Sequence, residues 1–174
     1  MTKKRKANDN YYQALKVYKN QCKKTELTKE GVRKVIADLK GQGFLAKLNE
    51  LPKDVQEAVN SGKFKHYFPW RSVTKGDSLS TPVRVVVDPT MTGLNVCLPK
   101  GENKIASIHM ILLRNRAHRL MWSTDIRKMY NQLKMNKASL RFQLLLYKES
   151  LDPNEDPEEW LLLSAWYGVV TTGN

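Results

Sequence analysis

The chain reads as an α+β fold in which N-terminal helices are followed by antiparallel hairpins. Three features carry that reading. Apolar residues recur at helical spacing as far as Asn60, and β-branched and aromatic runs with turn chemistry between them follow Gly62. The resulting order of helices, hairpin, helix, strand and hairpin lacks the regular strand–helix alternation that builds a parallel sheet.

The first helix spans 10–24, with Tyr11, Leu15, Tyr18 and Cys22 along one face. A second follows Thr28 as N-cap, with Val32, Val35, Ile36 and Leu39 at i, i+3, i+4 and i+7, and Gly41 and Gly43 end it. Pro52 opens a short helix over Lys53–Asn60, closed by Ser61 and Gly62. Phe64–Val73 and Val83–Val87 then read as strands of a hairpin with a basic tip, joined through Thr74-Lys75-Gly76-Asp77-Ser78. Pro89 and Gly93 stop the second strand, and a loop runs to about Gly101. Residues 103–119 read as a helix with Ile105, Ile108, His109, Leu112 and Leu113 on its apolar face. Arg114, Arg116 and Arg119 suit the negative end of its dipole. A strand ending at Asp125 comes next, then a second hairpin with arms Arg141–Lys148 and Glu159–Val169. Apolar residues continue almost to Asn174, which reads as an interrupted domain.

Charge narrows the partners. The 174 residues carry a net charge of +13, unevenly spread. Residues 1–148 hold all 30 Lys and Arg against 11 acids, a balance of +19, while residues 149–174 hold six acids and no base. A field of that sign attracts polyphosphates and nucleic acid. No membrane partner is expected: the longest largely apolar run, Trp160–Val170, is 11 residues, too short to span a bilayer. The basic N-terminus leads into no apolar segment, so it is no secretory signal, and the protein is expected to be intracellular with reduced thiols. Lys3-Lys4-Arg5-Lys6 reads either as a nuclear-localisation or nucleic-acid arm or as a solvated terminus. Cys22 and Cys97 lack metal-binding spacing, and His66, His109 and His118 share none either.

Two segments carry candidate chemistry. In Met121–Tyr130, Asp125 falls at a predicted strand end facing a cleft. A carboxylate there is either a ligand for a hard cation such as Mg²⁺ or a cap on the next turn. In Val83-Arg84-Val85-Val86-Val87-Asp88, Arg84 is the lone charge inside a β-branched run. Alternation puts Val83, Val85 and Val87 on one face, with Arg84 and Val86 on the other.

Seven segments, in order, resemble the reverse transcriptases of Bel-Pao type LTR retrotransposons. They are the helix end at Gly43-Phe44; His66–Val73, similar to the family's YLPHHPV strand; Val83–Asp88, similar to its RVVFD strand; and Leu94–Gly101, similar to LNDCLLKGP. Ile108–Arg119 is similar to GVLLRFRQHR, Thr124–Leu133 to ADIKKMFLQV, and Ala165–Thr171 to VPFGVTSS. The resemblance covers roughly 28–174. It implies a reverse-transcriptase-like fold of fingers and an incomplete palm: a basic N-terminal extension and helix over 1–27, fingers over 28–102, and partial palm over 103–174 with a second fingers hairpin at 141–169.

The implied activity is RNA-directed DNA polymerisation, as part of a longer Pol polyprotein of a transposable element, in a cytoplasmic particle or the nucleus. The implied partners are an RNA or DNA template-primer, a dNTP and the remainder of the polyprotein. Two Mg²⁺ ions are the implied cofactors, with the Asp125 carboxylate and the Ile126 carbonyl as ligands. Arg84 and Lys75 would meet the triphosphate, Tyr130 the nucleotide sugar, and Tyr167 and Gly168 the nucleotide pocket. Trp166 and Gly173 stand where the family commonly has Pro, and the Met135–Leu140 loop is short. The Tyr/Phe-x-Asp-Asp box that supplies two more carboxylates would lie beyond Asn174, so the 174 residues alone are expected to be inactive. The alternative is a non-catalytic, nucleic-acid-binding relic or domesticated fragment.

Overall fold

The computed structural model describes residues 10–62, 64–74, 82–98, 106–167 and 169. Helices α1 (Tyr11–Cys22) and α2 (Glu26–Gly41) lead into a short strand β1 (Leu45–Lys47) and helix α3 (Lys53–Asn60). Strands β2 (Trp70–Thr74) and β3 (Val83–Val87) follow, then the short helix α4 (Leu94–Cys97) and helix α5 (Ile108–Asn115). A one-turn helix α6 (Lys137–Leu140) precedes strands β4 (Leu144–Tyr147) and β5 (Glu158–Leu162). The architecture is α+β, with two small antiparallel sheets: β2–β3, and a three-stranded sheet ordered β1-β5-β4.

Both predicted hairpins pair, but the first arm, predicted over Phe64–Val73, is Trp70–Thr74, with only an isolated bridge at Tyr67 before it. Trp70 pairs with Val87 and Thr74 with Val83 in the first, and Leu144 with Leu161 and Tyr147 with Glu158 in the second. The second hairpin's later arm ends at Leu162, short of the predicted Val169. Beyond it, Ser164 bridges back to Lys134. The sequence did not announce β1. Three residues are too few for a period-2 signal, and the strand exists because Leu45–Lys47 completes the edge of β5.

One hydrophobic cluster runs from Ala14 to Trp166 and joins α1, α2 and both sheets. Trp70 lies at its centre, with the Tyr18 and Tyr147 rings 6.4 and 6.3 Å away. Its indole N–H donates to the Leu146 carbonyl at 2.8 Å, so the buried polar edge is satisfied. The tetrad Leu144–Tyr147 is buried throughout although β4 is an edge strand: the 66–68 segment covers its outer edge, with the Phe68 amide donating to the Leu144 carbonyl at 2.7 Å and the Leu144 amide to the His66 carbonyl at 3.1 Å.

Three expectations are corrected. Helix α2 begins at Glu26 rather than after Thr28, since Thr25 holds the extended cap conformation and Glu26 places an acid in the first turn, where the dipole favours it. The helix predicted over 103–119 is Ile108–Asn115 among the described residues, and Ile105 lies outside them. Its predicted apolar face, including Ile108, Leu112 and Leu113, is exposed, and no residue of α5 is buried. The strand predicted to end at Asp125 does not form: 121–126 has no regular structure and is exposed throughout. A strand needs a neighbour for its N–H and C=O groups, and no described strand pairs with this one. No described helix is long and apolar enough to cross a membrane.

Candidate nucleotide and nucleic-acid site

Sheet β2–β3 is a two-sided platform. Its inner face, with Trp70, Val83, Val85 and Val87, is buried against α1 and α2, as the alternation of β3 predicted. Gln21 of α1 fixes β2 by accepting from the Ser72 amide at 3.0 Å and the Ser72 hydroxyl at 2.9 Å. Gly31 lets α2 approach β3 closely: a Cβ there would lie 2.4 Å from Val83 Cγ2.

The outer face presents Arg71, Val73, Arg84 and Val86, all exposed. Across the ladder Val73 faces Arg84 and Arg71 faces Val86, so each guanidinium has an aliphatic neighbour. Arg71 donates to the Asp88 carboxylate, which also accepts from the Met91 amide at 3.1 Å. Arg84 makes no ion pair among the described residues, which leaves its planar fork available to a phosphate. Sequence reading singled out Arg84 and missed Arg71. Their register across the ladder was the signal that could have found it.

The second group lies around a 3-10 turn, Met129–Gln132, which Lys128 caps in the left-handed conformation (φ 52°, ψ 43°). Tyr130 meets Tyr167 edge-on, with ring centroids 4.4 Å apart. Asp125 and Ile126 precede this turn in exposed chain, and Ile126 is 58% exposed. Of the predicted site residues, the structure thus brings Tyr130 and Tyr167 together. No hydrogen bond, ion pair or ring contact among the described residues joins Arg84 to either of them or to Asp125. Lys75 and Gly168 lie outside the described residues.

Sequence reading also missed what ties the turn down. The Lys128 ammonium donates to Asp38 Oδ2 at 2.6 Å and to Gln42 Oε1 at 3.0 Å, and sits 5.9 Å from the Phe44 ring centroid. Hydrogen bonding from Lys128 holds the Asp38 carboxyl below the usual carboxylate range.

A two-magnesium centre does not fit these residues by themselves. No group of three or more His, Cys, Asp or Glu side chains occurs among the described residues, and one carboxylate cannot hold two Mg²⁺ ions. No protein family matches the chain, and no curated protein matches it.

Proposed function

We propose that the chain is the fingers and the first part of the palm of a retroelement RNA-directed DNA polymerase, and that by itself it binds template-primer without extending it. The observation that carries the reading is the outer face of β2–β3, where Arg84, which makes no ion pair among the described residues, and Arg71, bound to Asp88, alternate with exposed valines in a chain of net charge +13. Such a face suits a phosphate backbone, which it would grip without reading sequence. The seven collinear resemblances in the sequence supply the polymerase class and the incoming dNTP as second ligand.

The test is binding of an RNA–DNA template-primer to the 174-residue chain, with Arg84→Ala beside it. The expected result is binding at low salt that Arg84→Ala weakens by about tenfold, roughly the worth of one charge-assisted hydrogen-bond pair. Failure to bind at 50 mM salt, or nucleotide incorporation by the isolated chain, would overturn the proposal.

One observation favours a second reading, a non-catalytic nucleic-acid-binding relic: Asp125 stands exposed without a cluster of companion ligands among the described residues. Asp125→Asn in a chain continued through a Tyr/Phe-x-Asp-Asp box separates the two. The polymerase reading expects extension to fall by orders of magnitude with binding unchanged; the relic has no extension to lose.

A further inference from the structure

The segment that carries Asp125 is weakly held. From 106 to 127 only Asn115 is even partly buried, and the backbone hydrogen bonds that this stretch makes among the described residues are local, such as Ile111 to Ser107 and His118 to Asn115. The next turn rests over a hollow of about 320 Å³, with Gln42 and Phe44 on one side and Asn131, Gln132 and Ser164 on the other. The Asn131 amide nitrogen and Ser164 hydroxyl are buried there without hydrogen-bond partners. The Tyr130–Tyr167 contact and the Ala165 amide on the Leu133 carbonyl hold the C-terminal side of this turn, while its N-terminal side meets α2 through Lys128. Its cap, Lys128, adopts a positive φ that a side-chain-bearing residue enters only at a cost. Strain of that kind persists where surrounding contacts over-determine it. Those contacts are the two hydrogen bonds to Asp38 and Gln42, one helical turn apart at the end of α2.

We infer that Lys128 is a positioning residue: its bonds to Asp38 and Gln42 latch the Asp125–Tyr130 turn to the C-terminal end of α2 and so orient the nucleotide-facing groups against the body that carries β2–β3. The functional half of this inference rests on the polymerase reading above, while the latch itself does not. The latch is one side chain wide. The Lys128 side chain is mostly covered and that of Asp38 about half exposed, so the latch sets direction rather than global stability.

The test uses the chain with Lys128→Met, which keeps the stem and removes the charge, Asp38→Asn, and the exchanged pair Asp38→Lys with Lys128→Asp. Aspartate tolerates the left-handed conformation, so the exchanged pair can rebuild the bond. The first readout is hydrogen exchange of the Gln132 and Leu133 amides, whose bonds to the Lys128 and Tyr130 carbonyls close the turn. Exchange should rise about fivefold in either single variant, the scale of one exposed ion pair, and return in the exchanged pair. The latch also has a pH signature. Because Lys128 depresses the folded Asp38 carboxyl, wild-type protection should persist down to the ordinary carboxylate range and be lost as pH falls through the depressed value, whereas Asp38→Asn should show no such step.

The second readout is affinity of the chain–template-primer complex for deoxythymidine triphosphate, which the single variants should weaken about fivefold while template-primer affinity holds. Unchanged exchange in both single variants overturns the latch. Faster exchange with unchanged nucleotide affinity leaves the latch standing and overturns the assignment of this turn to a nucleotide pocket.

Discussion

Gly31 shows how one side chain, or its absence, sets the platform. Helix α2 lies against β3 at this point, and a methyl group there would run into the stiff, β-branched Val83 rather than into a flexible chain end. Gly31→Ala is expected to cost about 1–3 kcal/mol, as overpacking does, despite the better helix propensity of alanine. Denaturant unfolding measures this, and a stabilised variant would show that β3 does not sit where the contact puts it. Two buried phenols make a second residue-scale prediction. Burial pushes Tyr147 up to about 12 and raises Tyr18 further. A raised folded value means the fold binds the phenol proton more tightly than the unfolded chain does. That stability is present below pH 10 and is lost as pH rises through the folded values. An alkaline titration followed at the phenolate absorbance should therefore show late tyrosines that ionise together with unfolding. Tyr18→Phe should be neutral or stabilising, because the Tyr18 hydroxyl is buried and makes no hydrogen bond, although the Cys22 thiol one turn on is close enough to perturb it. At this scale the outward Arg84 was legible, since alternation within Val83–Val87 decides it. The left-handed Lys128 was not, because a long-range bond to Asp38 holds it and nothing local signals it.

Among the elements, legibility followed whether the partner was near in sequence. Helices α1, α2 and α3 and both hairpins are built from local period and local turns, and the chain states them openly. Strand β1 was invisible because its reason for existing is an edge more than a hundred residues later. The expected strand before Asp125 failed for the converse reason, a strand-like pattern with no described strand to pair with. The candidate site inherits this division: its hairpin half was readable, and its Asp125 half depends on contacts that pattern cannot supply. Segment 106–127, which includes α5, thus leaves Ile108, Leu113, Leu120, Met121 and Trp122 largely exposed, Trp122 at 93%. Few buried contacts and solvated backbone bonds mark the low end of local stability. Brief trypsin treatment should cut at Arg114, Arg116 or Arg119 before any site in α2 or the β4–β5 hairpin, and mass analysis of the first fragments checks it. Cutting first within α2 would show that this stretch is better held than its exposure implies.

Over the whole molecule, the excess of bases over acids sets a positive field. Half of the six acids from 149 to 159 are ion-paired, with Glu158 on Lys47, Glu159 on Lys65 and Glu155 on Lys148. Each pair adds little stability at the surface, and the net charge of +13 is carried by bases elsewhere in the chain. A polyanion that binds only the folded chain must then raise its melting temperature by mass action. At a hundredfold excess over Kd the gain is about 2.7 kcal/mol, and for a chain of this size each kcal/mol moves Tm by about 2–4 °C, so a rise of roughly 5–11 °C is expected. Phosphate contacts release counterions, and six to ten of them weaken binding by about 10³–10⁵ between 50 and 200 mM salt. The rise should therefore be present at 50 mM and gone at 200 mM for the same duplex concentration, with the unliganded Tm little changed between the two. A thermal scan of four samples, with and without template-primer at each salt, decides it. A shift that survives 200 mM salt undiminished would mean that the duplex is held by something other than its phosphates, and the basic platform would lose its claim to be the interface.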